Sequence, residues 1–179
     1  MKLFAAIRPP ASTVRELTRL QRGVTGAKWS APEKLHITLG FFGEVNAAQA
    51  DVLKKELTKV AVPDIEIQLS GAGHFGENEP HAIWIGVASS PELTRLHEAC
   101  CNAARAAGIK METRPFMPHI TLAYLKRTTD FGCVAAFENR LSVYAAAPFM
   151  ADGFNLYSSW AVKDKPNIYR QEANYRITR

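Results

Sequence analysis

At 179 residues, 47% hydrophobic and 22% charged, the chain has an ordinary globular composition, enough for one good-sized core or two small lobes. A net charge of +5 favours anionic partners without identifying one. No segment approaches the roughly 18 apolar residues of a membrane helix, and Cys100, Cys101 and Cys133 form neither a disulfide framework nor a CxxC metal spacing.

"KLFAAIRP" (2–9) reads as a strand ended by Pro9-Pro10. The apolar stretch at this end is too short for a secretory signal, so a cytoplasmic protein is expected. Val14, Leu17, Leu20 and Val24 recur at spacings of three and four, predicting an amphipathic helix from Ala11 to about Thr25, capped by Ser12 or Thr13. "KWSAPEK" is a turn into the strand "LHITL". Asn46 caps a helix to about Val60. "DIEIQLSGAGHF" and "HAIWIGVA" alternate as strands should. Ser90-Pro91-Glu92 opens a helix through Ala107, stopped by Gly108. "RPFMP" leads into a second "HITL" strand. A helix near 130–141 and the strands "MADGFNLYSSW" and "NIYRQEANYRIT" complete the chain.

His-Ile-Thr-Leu thus occurs twice, at His36–Leu39 and His119–Leu122, once in each of two similar strand-and-helix units. Alternate side chains of a strand share a face. His36 and Thr38 therefore point one way and Leu35, Ile37 and Leu39 the other; His119 and Thr121 repeat the pattern. One such histidine is usually a satisfied core residue. Two identical copies suggest two imidazoles and two hydroxyls converging on one cleft. Histidine titrates near neutral pH, so a pair can supply one acid and one base, and threonine hydroxyls suit phosphate oxygens. Neither motif holds a carboxylate or cysteine at a metal-ligand spacing, so no metal site is expected. The arrangement reads as acid–base chemistry around a phosphoryl group.

With "KWSAPEKLHITL", "GFFGEV", "RPFMPHITLAY" and the opening "KLFAAIRPP", nearly the whole chain resembles the two-histidine (2H) phosphoesterases, in particular their bacterial RNA 2′,3′-cyclic phosphodiesterase, or 2′-5′ RNA ligase-like, branch. The resemblance implies an α+β, bilobal fold of two pseudo-symmetric lobes, each with an antiparallel sheet and outer helices, around an active-site cleft. Residues 1–179 would form one compact domain. It implies hydrolysis of an RNA or nucleoside 2′,3′-cyclic phosphate to a 2′-phosphate without metal or other cofactor, reversible as 2′-5′ ligation. His36 would be the proton donor, His119 the proton acceptor, and Thr38 and Thr121 would hold the phosphate. The implied partners are RNA 3′ ends or nucleotides bearing a 2′,3′-cyclic phosphate, acted on by a monomer.

Many relatives carry an arginine shortly after one motif; this chain has Gly40 after the first copy and Tyr124 after the second. A phosphate-binding cation is therefore sought in Arg114, Arg127, Lys126 or Lys34. Phe42, Phe116 and Tyr124 flank the motifs and could stack bases, although packing roles compete. His74, His81 and His97 read as bystanders, and Trp29, Trp84 and Trp160 as packing residues. Two other readings remain: the same chemistry on a different small cyclic or 2′-5′ linked nucleotide, and a non-catalytic RNA- or nucleotide-binding module. Two intact motifs argue for catalysis.

Overall fold

The computed structural model describes residues 1–163 and 165–176, without the side chain of Lys165. Among these, the elements in chain order are β1 (Lys2–Ile7), α1 (Ala11–Leu20), β2 (Lys28–Trp29), a 3₁₀ turn (Pro32–Lys34), β3 (Ile37–Glu44), α2 (Ala47–Leu57), β4 (Ile65–Ile67) and β5 (Leu69–Phe75). Then follow β6 (Ala82–Val87), α3 (Pro91–Ala106), β7 (His119–Tyr124), α4 (Phe131–Arg140), β8 (Phe149–Ala151), β9 (Gly153–Val162) and β10 (Lys165–Arg176). No described helix is long and apolar enough to cross a membrane.

The helix ends follow their capping chemistry. Asn46 accepts from the Gln49 amide while the Gln49 side chain accepts from the Asn46 amide, a reciprocal cap for α2. Ser90 accepts from the Leu93 amide, and Gly108 at φ +71° ends α3. The first helix begins at Ala11 as expected but departs from expectation in its cap and its C-terminal end. It starts after Pro10 with no side-chain cap, and it stops at Leu20, since Gly23 and Gly26 take positive φ in the following turn. Val24 is nevertheless buried. The expected long strand at 64–75 is two. β4 pairs with β8 in a small separate sheet, and β5 joins the main one. Of the last expected strand, Ile177 and Thr178 lie outside the described residues.

The main sheet runs β10-β9-β1-β3-β7-β6-β5, antiparallel throughout, with β2 paired to β7. The mixed α+β fold expected from the sequence is present. The two expected sheets, however, are halves of one sheet, joined where β3 meets β7 at the single pair Ile37↔Ile120. The halves also exchange elements relative to chain order. β3 lies beside β1, β9 and β10, so the C-terminal strands complete the N-terminal half, whereas β7 takes β6 and β5. Helix α3 likewise follows β6 but packs on β3.

Behind the sheet, Leu35, Ile37, Leu39, Ile120 and Leu122 are at most 1% exposed in one hydrophobic cluster with residues of the helices. At roughly 1.5–3 kcal/mol per buried large aliphatic side chain, this face fixes the register of both motif strands. Its mirror consequence is that both histidines and both threonines face the other way.

Candidate active site

The Ile37↔Ile120 pair sets the geometry of the site. Continuing that antiparallel register by one residue either way puts His36 across from Thr121 and Thr38 across from His119, an approximate two-fold arrangement on one face. All four line a single cleft of about 320 Å³. Among the described residues, no group of three His, Cys, Asp or Glu forms anywhere in the chain.

Each imidazole is held the same way. His36 Nδ1 lies 2.6 Å from the Lys34 carbonyl and His119 Nδ1 2.7 Å from the Met117 carbonyl, in both cases two residues upstream. A carbonyl only accepts, so Nδ1 carries the proton and Nε2 is left free. The rings are packed as well as bonded. Phe4 lies 5.0 Å from His36 and Tyr169 meets its edge at 5.8 Å. Phe75 meets His119 at 4.8 Å, with Trp84 at 6.2 Å. Trp84 lies over Gly73, where an added Cβ would sit 2.3 Å from the indole. Burial lowers the His36 pKa to about 4, against the opposing carbonyl bond, and the nearby His119 lowers it further. Burial also lowers the His119 pKa, again opposed by its carbonyl bond. Both rings are therefore neutral near pH 7 in the empty cleft.

Beyond the threonines, both strands carry the same irregularity. Thr38 pairs with Ala6 and Gly40 with Ala5, leaving Leu39 as an extra residue; Leu122 is extra between Thr121 (opposite Trp84) and Ala123 (opposite Ile83). A bulge resets the in–out alternation. It returns the residue three beyond each threonine to the cleft: Phe41 and Tyr124, each 55% exposed and lining it. The sequence-based choice of Phe42 as a substrate contact is thereby corrected. Phe42 is 3% exposed, its ring over Gly40 in the core. Simple alternation fails here because it counts no bulge. Superposing "HITLGF" on "HITLAY" pairs Phe41 with Tyr124 and could have found it.

The expected cations are also redistributed. Arg114 is 83% exposed and pairs with Glu112, away from the cleft. Arg127 is 84% exposed and pairs with Glu79, and neither it nor Lys126 lines the site. Lys34 does, joined by Lys2 from the first strand, and among the described residues no carboxylate lines the cleft. Lys2, Ser30, Ser159, Asn167 and Tyr169 were not legible as site residues, since only the pairing of β1 with β3 and β9, of β9 with β10 and, for Ser30, of β2 with β7 brings them there. Trp160, expected to pack, is 42% exposed, its indole donating to Ser158.

His97 is no bystander. Its Nδ1 donates to the carbonyl of Leu39, the bulged residue, at 2.6 Å. Its ring stacks on Phe116 at 4.0 Å, in the loop entering the second motif strand. One α3 side chain thus braces the approach to both strands.

Comparison with known proteins agrees with this geometry. The chain is 33% identical over 131 residues to an RNA 2′,3′-cyclic phosphodiesterase of Archaeoglobus fulgidus, covering 71% of this chain and 74% of that protein. It is 28% identical to an RNA 2′,3′-cyclic phosphodiesterase of Thermotoga maritima, covering 95% and 92%. The crystal structure of E. coli LigT complexed with 3′-AMP superposes with a TM-score of 0.80 over 99% of this chain and 98% of that one, at 23% identity, a likeness of fold. Residues 9–161 match the 2′-5′ RNA ligase superfamily, and with the paired His-Ile-Thr-Leu strands at its centre the chain belongs to that superfamily.

Proposed function

We propose that the protein hydrolyses 2′,3′-cyclic phosphates at RNA 3′ ends or on nucleotides to 2′-phosphates, using two histidines and no metal. The observation that carries this reading is the duplicated imidazole. Two rings are fixed at Nδ1 by upstream carbonyls, each with Nε2 free, in one cleft lined by lysines and, among the described residues, by no carboxylate. The relatives named above as RNA 2′,3′-cyclic phosphodiesterases support the substrate class.

In this reaction His119 Nε2 takes a proton from water as its oxygen attacks phosphorus. The bond from phosphorus to O3′ breaks, and His36 Nε2 gives its proton to that oxygen, leaving a 2′-phosphate. Thr38, Thr121, Lys2 and Lys34 stabilise the charge gathering on the non-bridging oxygens. His36 needs a proton that burial disfavours in the empty cleft, and the anionic phosphodiester beside it restores that proton by favouring the imidazolium. With a ribose 5′-hydroxyl in place of water as the nucleophile, the same step forms a 2′-5′ linkage: His119 takes the proton of that hydroxyl, the bond from phosphorus to O3′ breaks, and His36 protonates O3′.

The test is hydrolysis of a nucleoside 2′,3′-cyclic phosphate in EDTA by wild type, His36→Ala and His119→Ala, with the product isomer identified. Each substitution is expected to cost about 10²- to 10⁴-fold in kcat. Activity surviving either change, or lost in EDTA, overturns the two-histidine mechanism. Nucleotide binding without turnover by wild type would instead indicate a binding module.

A further inference from the structure

A second concavity of about 310 Å³ opens off the catalytic cleft, and the two share a wall. Ser30, Lys34, Tyr124, Asn167 and Tyr169 line both. Past that wall the new feature is Lys28. Strand β2 is only two residues long, with Lys28 opposite Tyr124 and Trp29 opposite Ala123. Trp29 packs towards α4 against Phe137, 6.1 Å away. Lys28 consequently shares the cleft face with Tyr124, the residue opposite it. Lys34 Nζ stands 5.4 Å from the Tyr169 ring, at the border between the two spaces. Among the described residues, neither space is lined by a carboxylate.

We infer that this second concavity is a binding site for the nucleotide on the 5′ side of the one bearing the cyclic phosphate, so that the protein grips at least two nucleotides of a single strand. This rests on the reading of the active site given above. With the cyclic phosphate at the two histidines, an RNA strand can continue only in its 5′ direction, and its next charged group is the phosphodiester joining the last two nucleosides. Lys34 and Lys28 are spaced along the route that this phosphodiester takes out of the cleft. Tyr124 and Tyr169 offer ring faces at the same place, and stacking on aromatic rings holds single-stranded bases whatever their identity. A lone mononucleotide at the histidines leaves Lys28 unused.

The test uses product-like ligands that are not turned over: adenosine 2′-phosphate and the dinucleotide ApA ending in a 2′-phosphate, titrated calorimetrically into wild type, Lys28→Ala and Tyr124→Ala. Lys28 is exposed, so its removal leaves the core intact. Wild type is expected to bind the dinucleotide about tenfold more tightly. Lys28→Ala is expected to cut that preference below about threefold and to reduce the slope of log K against log salt by about 0.7 for the dinucleotide alone. Equal affinity of wild type for both ligands, or a preference and salt slope untouched in Lys28→Ala, overturns the inference. Hydrolysis of a mononucleotide 2′,3′-cyclic phosphate, run in parallel, separates the two readings. Turnover without a dinucleotide preference defeats the second site alone. Absence of turnover on both mononucleotide and RNA ends defeats the active-site reading, and the second site with it.

Discussion

Strands β3 and β7 carry the same four residues and the same three backbone devices. Each clamps its histidine by a carbonyl two residues upstream, bulges one residue after its threonine, and returns an aromatic ring to the cleft. What differs is what the rest of the chain lays over them. His36 is enclosed by Phe4 from the first strand and Tyr169 from β10, His119 by Phe75 and Trp84 from β5 and β6. Local sequence has duplicated the reactive groups, and non-local pairing has made their environments unequal. Two copies of one motif can therefore divide into an acid and a base without any change in the motif.

The largest effect that tests the shared backbone device is at the first bulge. Phe42→Ala is expected to destabilise the protein by about 3–5 kcal/mol, because the bulge turns its ring into the core. Phe41→Ala is expected to change stability by no more than about 0.5 kcal/mol while raising KM. Denaturant midpoints and kinetics on the two variants decide the matter. A stable Phe42→Ala protein beside a destabilised Phe41→Ala one would place the bulge elsewhere. Next in size is the threonine pair. Thr38→Val and Thr121→Val each remove one hydroxyl from the face proposed to hold the phosphate, expected to lower kcat about 10²-fold with little change in melting temperature. A hundredfold gap between the two variants would confine phosphate stabilisation to one strand.

The motif strands were legible because two signals coincided in one short stretch: period-two alternation and a repeated polar pair. His36, Thr38, His119 and Thr121 follow from that alone. Phe42 was named only because it flanks the motif, and alternation could not place it, since an extra residue in a strand leaves no mark on composition and surfaces only when Leu39 is seen to lack a partner on β1. Of the cations, Lys34 was among those named, whereas Lys2 was missed for a different reason. Arg114 and Arg127 are near the second motif in sequence, and sequence proximity was the only guide available. Lys2 reaches the site because β1 pairs with β3, and Tyr169 because β10 returns along β9, which lies beside β1. His97 combines both difficulties, because its partner is the carbonyl of the bulged residue Leu39, 58 residues away in the chain.

The smallest effect is also the one that weighs the two histidines against each other. In the free protein both imidazoles are neutral above pH 6.5, and His36 stays so down to about 4. The proposed acid–base mechanism requires one proton on the pair, a state that peaks between the two pKa values. kcat/KM, which reports the free enzyme, should therefore have its optimum below pH 6.5 and decline towards neutrality. The optimum of kcat should lie higher, since the bound phosphate favours the imidazolium. Stability carries the same asymmetry with a definite sign. An unfolded histidine takes up its proton near pH 6.5, whereas the folded ring resists until its lowered value. Between those limits the unfolded chain binds more protons, and stability falls as pH falls. His36→Asn should relieve that loss from pH 6.5 down to about 4. His119→Asn should relieve it over whatever span its own lowered pKa leaves, so melting temperatures of the two variants at pH 7 and pH 5 measure the asymmetry directly. Identical recovery in both, together with a kcat/KM optimum at or above pH 7, would mean that the unequal enclosure of the two rings has no bearing on which gives the proton and which takes it.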